Sequence, residues 1–322
     1  MILMSEPLAF PPLIDDCWII TGPTAGGKSA LAIELAETLD GEIVSMDSMA
    51  VYRSMDVGTA KPSRADQQRV PHHAIDIVDP DQPFSVACFL REAHRAVAEI
   101  RQRGRTAILV GGTPMYLKGV LRGFDPGPPA DWEFREQVAA DVERFGVEAL
   151  RERLLQVDPL SAHRLHPNDV RRMTRALEVA RLTGVPLSHK QMQFEQRRRP
   201  SECKVFVCTW PRATLHTRID DRVVRMFADG LVEETEQLLR HYGTLSHTAA
   251  KAVGYNEAIE HLAGRLTLEQ TVLDVQAHTR QLARRQETFL RSFGERRVLD
   301  LSEDASLRQT QQRVLELVQS TS

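Results

Sequence analysis

The chain has 322 residues, of which 42% are hydrophobic and 26% charged, and a formal net charge of −3. That length supports a substantial core in one large or two ordinary domains, and the mix is that of a soluble globular protein rather than a disordered or uniformly basic one. No apolar run reaches the roughly 18 residues of a membrane span, and the first fifteen residues carry Glu6 and Asp15 but no Lys or Arg, which argues against a secretory leader; a cytoplasmic location is expected.

In chain order, residues 1–17 read as a loose tail. The apolar run 18–21 ends in a glycine loop and is followed by an amphipathic stretch, 29–39, so the order is strand, loop, helix. "GEIVSMDS" is a second strand ending at Asp47. "QPFSVACFLREAHRAVAEIRQRG" reads as a helix closed by Gly104. "RTAILVGGT" is a third strand, apolar and β-branched. Such alternation predicts a parallel sheet covered on both faces, with ligands at the carboxyl ends of its strands. "GFDPGPPADW" then breaks the pattern as a linker. Beyond it, from 131 to about 193, the periodicity is purely helical. "HPNDVRRMTRALEVARLTG" can be capped by Asn168 or Asp169 and is stopped by Gly184 with Pro186. "KVFVCTW" returns to strand; long helices follow over 212–242 and 268–293, then a last strand near Val298. The reading is an α/β fold, a P-loop NTPase-like parallel sheet flanked by helices. Its core spans 18–126 and 200–322, and an all-helical domain, 127–199, is inserted in it.

Gly22, Pro23, Thr24, Ala25, Gly26, Gly27, Lys28 and Ser29 match G-x-x-x-x-G-K-[ST] in full, between a strand and a helix. Backbone N–H groups of such a loop favour phosphate oxygens, Lys28 neutralises them, and the Ser29 hydroxyl suits Mg²⁺. An ATPase or kinase usually adds a strand ending in Asp. Here the third strand ends in Gly111-Gly112-Thr113, and the carboxylate at a strand end is Asp47. Asp47 reads either as a base that takes a proton from a bound nucleophile or as a turn-capping residue. Neighbouring Tyr52, Thr59 and Lys61 either line a site or sit on a surface loop. A small-molecule kinase using ATP stays open at this point. The four cysteines, Cys17, Cys88, Cys203 and Cys208, lack zinc spacing and read as free thiols. Of 41 cations only Lys28, Lys61, Lys118, Lys190, Lys204 and Lys251 are lysine, leaving 35 arginines. Arginine forks suit phosphate and stack on bases, so local clusters must carry any RNA argument.

"GPTAGGKS", "DSMAVYRSMDVGTAKP", "PHHAIDIVDP", "LVGGTPMY", "HPNDVRRMTRALEV", "KAVGYNEAI" and "TRQLARRQETFLR" occur in this order and together resemble the tRNA dimethylallyltransferase, or tRNA isopentenyltransferase, family. The resemblance implies that the loop grips dimethylallyl diphosphate with Mg²⁺. It implies transfer of the prenyl group to the exocyclic N6 of the adenosine on the 3′ side of a tRNA anticodon. It further implies Asp47 as the base and Thr24 and Thr113 along the substrate channel, with Lys28, Arg218 and Arg222 helping the diphosphate. tRNA contact falls to Asp47, Ser48, Met49 and Ala50, to Arg135, to Arg171, Arg172, Met173, Thr174 and Arg175, and to Lys251, Ala252, Val253, Gly254, Tyr255 and Asn256. Tyr255 is expected to stack or hydrogen-bond. The expected partners are the tRNA anticodon stem-loop and the prenyl donor, with no membrane, and the protein is expected to be a monomer.

Other prenyl transferases often hold magnesium diphosphate with DDxxD carboxylates; Asp15-Asp16 and Asp220-Asp221 do not continue that spacing, so a different clamp is needed, and the glycine loop can be that clamp. Departures from the family pattern are Ala50, Ser54, Pro114 and Phe289. No Cys/His tail follows, as in the shorter bacterial type. The basic clusters Arg197, Arg198, Arg199 and Arg280, Arg284, Arg285 receive no role.

Overall fold

A computed structural model describes residues 9–195, 198–301 and 306–319. The apolar runs lie as strands β1 Cys17–Thr21, β2 Gly41–Ser45, β4 Thr106–Gly111, β5 Val205–Thr209 and β6 Arg297–Asp300, with a short β3 at His72–His73. They form one sheet of order β3-β2-β4-β1-β5-β6 in which every pairing is parallel. The first four helices are α1 Lys28–Thr38, α2 Arg64–Arg69, α3 Val86–Gln102 and α4 Pro114–Arg122. Next come α5 Trp132–Val157, α6 Pro159–Arg164, α7 Val170–Thr183 and α8 Leu187–Lys190. The last five are α9 Arg212–Ala228, α10 Leu231–Tyr242, α11 Tyr255–Leu262, α12 Leu268–Leu290 and α13 Leu307–Gln319.

The described residues fall into two compact units, one within Met1–Pro11 and Arg122–Gln196, the other within Pro12–Leu121 and Arg197–Ser322. In the sheet unit, Leu31 and Leu35 of α1 and Val314 of α13 pack on Ile20, Ile108, Phe206 and Leu299. Helix α3 packs on β2 and β4, burying Phe89, Leu90, Ala93 and Val97. Two parallel strands buried on both faces need no polar alternation, which explains their near-continuous apolar runs. Helices α9 and α12 join through Leu215, Ile219, Val223, Val275 and Ala283. Helices α10 and α11 cover the segment after β2, packing Leu231, Leu238 and Tyr255 on Val51, Tyr52 and Met55. The helical unit is built on α5 and α7, where Phe134, Val138, Leu150 and Leu154 meet Met173, Ala176 and Leu177.

Two expectations need correction. The segment before Trp18 is not loose over its described part: Leu13 and Ile14 are buried, and the Leu13 N–H donates to Val120 O at 2.8 Å. The helix expected over 212–242 is two, because Gly230 (φ 97°) adopts a left-handed conformation that stops α9 and starts α10. Pro114 opens α4, where a missing N–H costs nothing, so its departure from the family's small residue is a helix start. Asp169 is the residue that caps α7, accepting from the Arg172 N–H, and Gly184 (φ 70°) closes it. Among the described residues no helix is long and apolar enough to cross a membrane.

Candidate functional site at the carboxyl edge of the sheet

Three strand tips converge. β1 runs into the glycine loop, β4 into Gly111-Gly112-Thr113, and β2 into Asp47. Their closeness depends on missing side chains. A Cβ on Gly22 would sit 2.6 Å from Cys208 O, on Gly111 2.3 Å from Met46 O, and on Gly112 2.8 Å from Gly22 O. None of these gaps admits a carbon, so the three glycines let the tips pack backbone to backbone. Thr21 Oγ1 donates to Gly111 O at 2.7 Å and ties β1 to β4.

The loop is held from behind through the carbonyls of Pro23, Ala25 and Gly26, while the Gly26 N–H turns back onto Pro23 O at 3.1 Å. Lys28 Nζ donates to Pro23 O (2.6 Å), Trp210 Nε1 to Gly26 O (3.2 Å) and Arg218 Nε to Ala25 O (3.0 Å). The Arg218 guanidinium also stacks over Trp210 at 4.4 Å, which fixes its plane. Ala25 (φ 58°) and Gly27 (φ 80°) take the left-handed turns that wrap the loop onto α1. Gln286 of α12 spans two tips: its Nε2 donates to Gly112 O (2.9 Å) and its Oε1 accepts from the Thr24 N–H (2.9 Å). Ser29 lies exposed in the first turn of α1.

Burial pushes the Lys28 ammonium down to about 8; Arg222 adds to the fall, while Cys208 and Asp47 oppose it. Burial also lowers the Arg222 guanidinium, and Asp47 counters this. Lys28, Arg222 and Asp47 therefore share one electrostatic neighbourhood. Arg222 is held by donation from its Nη2 to Thr59 O at 3.3 Å.

Asp47 does serve a turn, as one of its two readings had it. Its Oδ1 accepts from the N–H groups of Met49 (2.8 Å) and Ala50 (3.4 Å). Only that oxygen is engaged in these bonds, so Oδ2 is left for a proton. Thr113 Oγ1 accepts from the Ser48 N–H at 3.1 Å and so aligns the tips of β4 and β2.

Several residues expected at the tRNA are placed differently. Ala50, Met173, Thr174, Ala252 and Tyr255 are buried, so their side chains face the core. Tyr255 cannot stack on a base, because it is fully buried and its hydroxyl donates to Glu234 Oε1 at 2.5 Å. Arg135 and Arg175 are spent on the buried Glu178: Arg135 is bidentate at 2.8 and 2.9 Å, and Arg175 binds the second oxygen as well as Pro128 O (2.8 Å). Gly254 is also buried, whereas Arg171, Arg172, Lys251 and Asn256 are exposed; Ser48, Met49 and Val253 are half-buried. The side chains of Tyr52, Thr59 and Lys61 are engaged elsewhere, although the Thr59 carbonyl reaches the site by accepting from Arg222. Tyr52 is fully buried, Thr59 Oγ1 donates to Met55 O (2.7 Å), and Lys61 Nζ is bound by Asp56, Asp76 and Tyr52 O. Arg280 pairs with Asp220 across α12 and α9, and Arg198 pairs with Asp15. Arg197 lies outside the described residues.

A family model described as IPP transferase matches residues 50–293, and one described as isopentenyl transferase matches residues 15–76. The chain belongs to the IPP transferase family. It is 51% identical to a tRNA dimethylallyltransferase of Rhodopirellula baltica, covering 98% of this chain and 96% of that one. A tRNA dimethylallyltransferase of Geobacter sulfurreducens is 48% identical over 85% of this chain and 88% of its own. Among solved structures, a full-length tRNA isopentenylpyrophosphate transferase of Bacillus halodurans matches with a TM-score of 0.66 and 36% identity, over 94% of this chain and 96% of that one. A eukaryotic dimethylallyltransferase captured acting on tRNA matches with a TM-score of 0.71 and 27% identity, over 89% of this chain and 74% of that one.

In this family member, sequence reasoning missed Gln286, Trp210, Glu178 and Glu234. Gln286 lies within the quoted "TRQLARRQETFLR", so its motif was visible but its partners were not. Glu178 lies within the quoted "HPNDVRRMTRALEV", three residues after its partner Arg175, but its other partner Arg135 is remote; nothing local marks Trp210 or Glu234, whose partners lie far away in the chain.

Proposed function

We propose that the protein is a prenyl transferase that moves a dimethylallyl group from dimethylallyl diphosphate to N6 of the adenosine 3′-adjacent to the anticodon in tRNA. The observation that carries this reading is the convergence of the glycine loop, with Lys28, and Asp47 at one edge of the sheet, where the intervening β4 offers Gly-Gly-Thr and no carboxylate. The loop fits a diphosphate leaving group, and the base lies two strands over, across β4. As N6 attacks the allylic carbon, the C–O bond breaks and its electron pair leaves on the diphosphate. The N6 proton passes to Asp47. Loop N–H groups, Lys28 and Arg222 act where negative charge develops, which is where such groups lower a barrier most. Arg218, stacked on Trp210, holds the loop beneath them.

Mg²⁺ prefers phosphate oxygens, water and one or two protein oxygens. The exposed Ser29 hydroxyl beside the cradle suits that donor set, and among the described residues no three His, Cys, Asp or Glu side chains gather as a separate cage. Bound there, Mg²⁺ would add neutralising charge to the departing diphosphate. We further place the acceptor in the anticodon stem-loop, where the adenine must be unstacked at a cost of a few kcal/mol before it can meet Asp47. A monomer in the cytoplasm is the matching setting, and four free cysteines agree with a reducing compartment.

The test is to incubate the protein with Mg²⁺, dimethylallyl diphosphate and unmodified tRNA, digest the RNA and weigh the nucleosides. The expected product is an adenosine heavier by one dimethylallyl group. Its absence, with phosphate transfer from ATP instead, would overturn the reading.

A further inference from the structure

Glu234, in the first turn of α10, receives four hydrogen bonds. Its Oε2 accepts from the N–H groups of Asp56 (3.0 Å) and Val57 (2.9 Å); its Oε1 accepts from the Gly58 N–H (3.3 Å) and the Tyr255 hydroxyl (2.5 Å). Three consecutive backbone N–H groups pointing at one anion form a nest of the kind that binds phosphates, here filled by the protein's own carboxylate. The surrounding turn is rigid. Lys61 N donates to Asp56 O and Ala60 N to Val57 O, both at 3.0 Å. Lys61 Nζ bonds Tyr52 O at 2.8 Å and pairs with Asp56 and Asp76, with only 3% of its side chain exposed. A Cβ on Gly58 would lie 2.3 Å from Tyr255 Cε2, so the turn presses directly on that ring.

The turn's one bond to the reaction site is the Thr59 carbonyl, which accepts from Arg222 Nη2 at 3.3 Å. A guanidinium shares its donors between the carbonyl that holds it and the anion it serves. Moving that carbonyl by a fraction of an ångström redirects the fork. We propose that Glu234 is a positioning residue for the transfer reaction, which fixes the 56–59 turn so that Thr59 O aims Arg222 at the donor's diphosphate. This explains why Tyr255 of "KAVGYN" packs inward: its hydroxyl completes the carboxylate's shell. The inference rests on the assignment of Arg222 to the diphosphate.

Glu234→Gln keeps the volume but turns one oxygen into an NH₂ facing N–H or O–H donors. The test compares steady-state kinetics of the wild type, Glu234→Gln, Arg222→Ala and the double variant, varying dimethylallyl diphosphate and tRNA separately. The expected result for Glu234→Gln is a roughly tenfold higher KM for the prenyl donor, an unchanged KM for tRNA, and no further rise when it is added to Arg222→Ala. Loss of a hydrogen-bonded nest with packing intact would not by itself produce that selectivity or that non-additivity. Tyr255→Phe removes one of the four bonds and should give a smaller rise of the same kind, which keeps the test available should Glu234→Gln fail to fold. A normal donor KM in the folded carboxylate variant, or a full further rise on the Arg222→Ala background, overturns the positioning role. An unchanged donor KM in Arg222→Ala overturns the assignment of Arg222 itself and the inference with it.

Discussion

The Asp47 carboxylate has one observed task and one we propose. Oδ1 stabilises the turn after β2, and Oδ2 is the oxygen that can take a proton. Asp47→Asn keeps the turn's acceptor and removes the base, so kcat should fall by about 10²–10⁴-fold while tRNA affinity stays within about twofold. A single-turnover assay beside a filter-binding titration checks both, and an Asp47→Asn protein of normal rate would remove Asp47 from the chemistry. Lys28 makes a second prediction. Its folded value of about 8 lies below the ordinary 10.5, because burial disfavours the ammonium. Its charge is therefore complete well below pH 8 and lost as pH rises through it. The donor KM should rise above about pH 8, and a flat KM from pH 7 to 9.5 would contradict the buried ammonium. The same shift has a stability sign: the unfolded chain binds the extra proton between about 8 and 10.5, so this group's penalty on the fold is relieved as pH climbs through that window.

At the scale of elements, α5 and α7 are joined by one buried carboxylate. Glu178 accepts from Arg135, Arg175 and the Asp131 N–H, and these hold its carboxyl down to about 2 against burial, which pushes it up. Glu178→Ala strands two guanidinium groups and should cost about 3–5 kcal/mol in unfolding free energy, as broken buried pairs do. Because the carboxyl is depressed, its stabilisation is present above about 4.5 and lost as pH falls toward about 2. Acid titration of far-UV CD should show the wild type losing structure in that window, with Glu178→Ala already destabilised at neutral pH. Much of this level was legible beforehand. The runs that became β1, β4 and β5 were largely continuous and apolar, β2 was legible in "GEIVSMDS", and the caps of α7 were narrowed to Asn168 or Asp169 at its start and Gly184 at its end. The six-residue α2 was not legible, because its signal is a single Ser63-Asp66 capping box. Helix α13 was missed because its apolar stripe makes sense only against α1, far away in the chain. The glycine loop was readable residue by residue. Its supports were not, since Gln286 and Trp210 are separated from it by most of the chain. The resemblance named Arg135 and Arg175 as RNA contacts without revealing that Glu178 binds both.

For the whole molecule, the net charge of −3 leaves RNA attraction to local patches. Arg171 and Arg172 are the exposed members of the expected contact stretch, and Arg172 keeps 74% of its side chain in solvent beside Asp169. Replacing both by Ala should weaken tRNA binding and flatten the slope of log K against log salt by about 1–2, since each lost phosphate contact removes roughly 0.7–0.9. An unchanged slope would mean that neither side chain meets a phosphate.

The sheet order carries one more consequence. β1 sits between β4 and β5, yet β5 is encoded after the whole helical unit. As the chain leaves the ribosome, β1 can zip onto β4 early, but its other flank stays an open, apolar ribbon until Val205 emerges. The helical unit is synthesised during that wait. Nascent chains stalled before Val205 should therefore carry a sticky half-sheet that recruits chaperones, and the release of that protection should coincide with the appearance of β5.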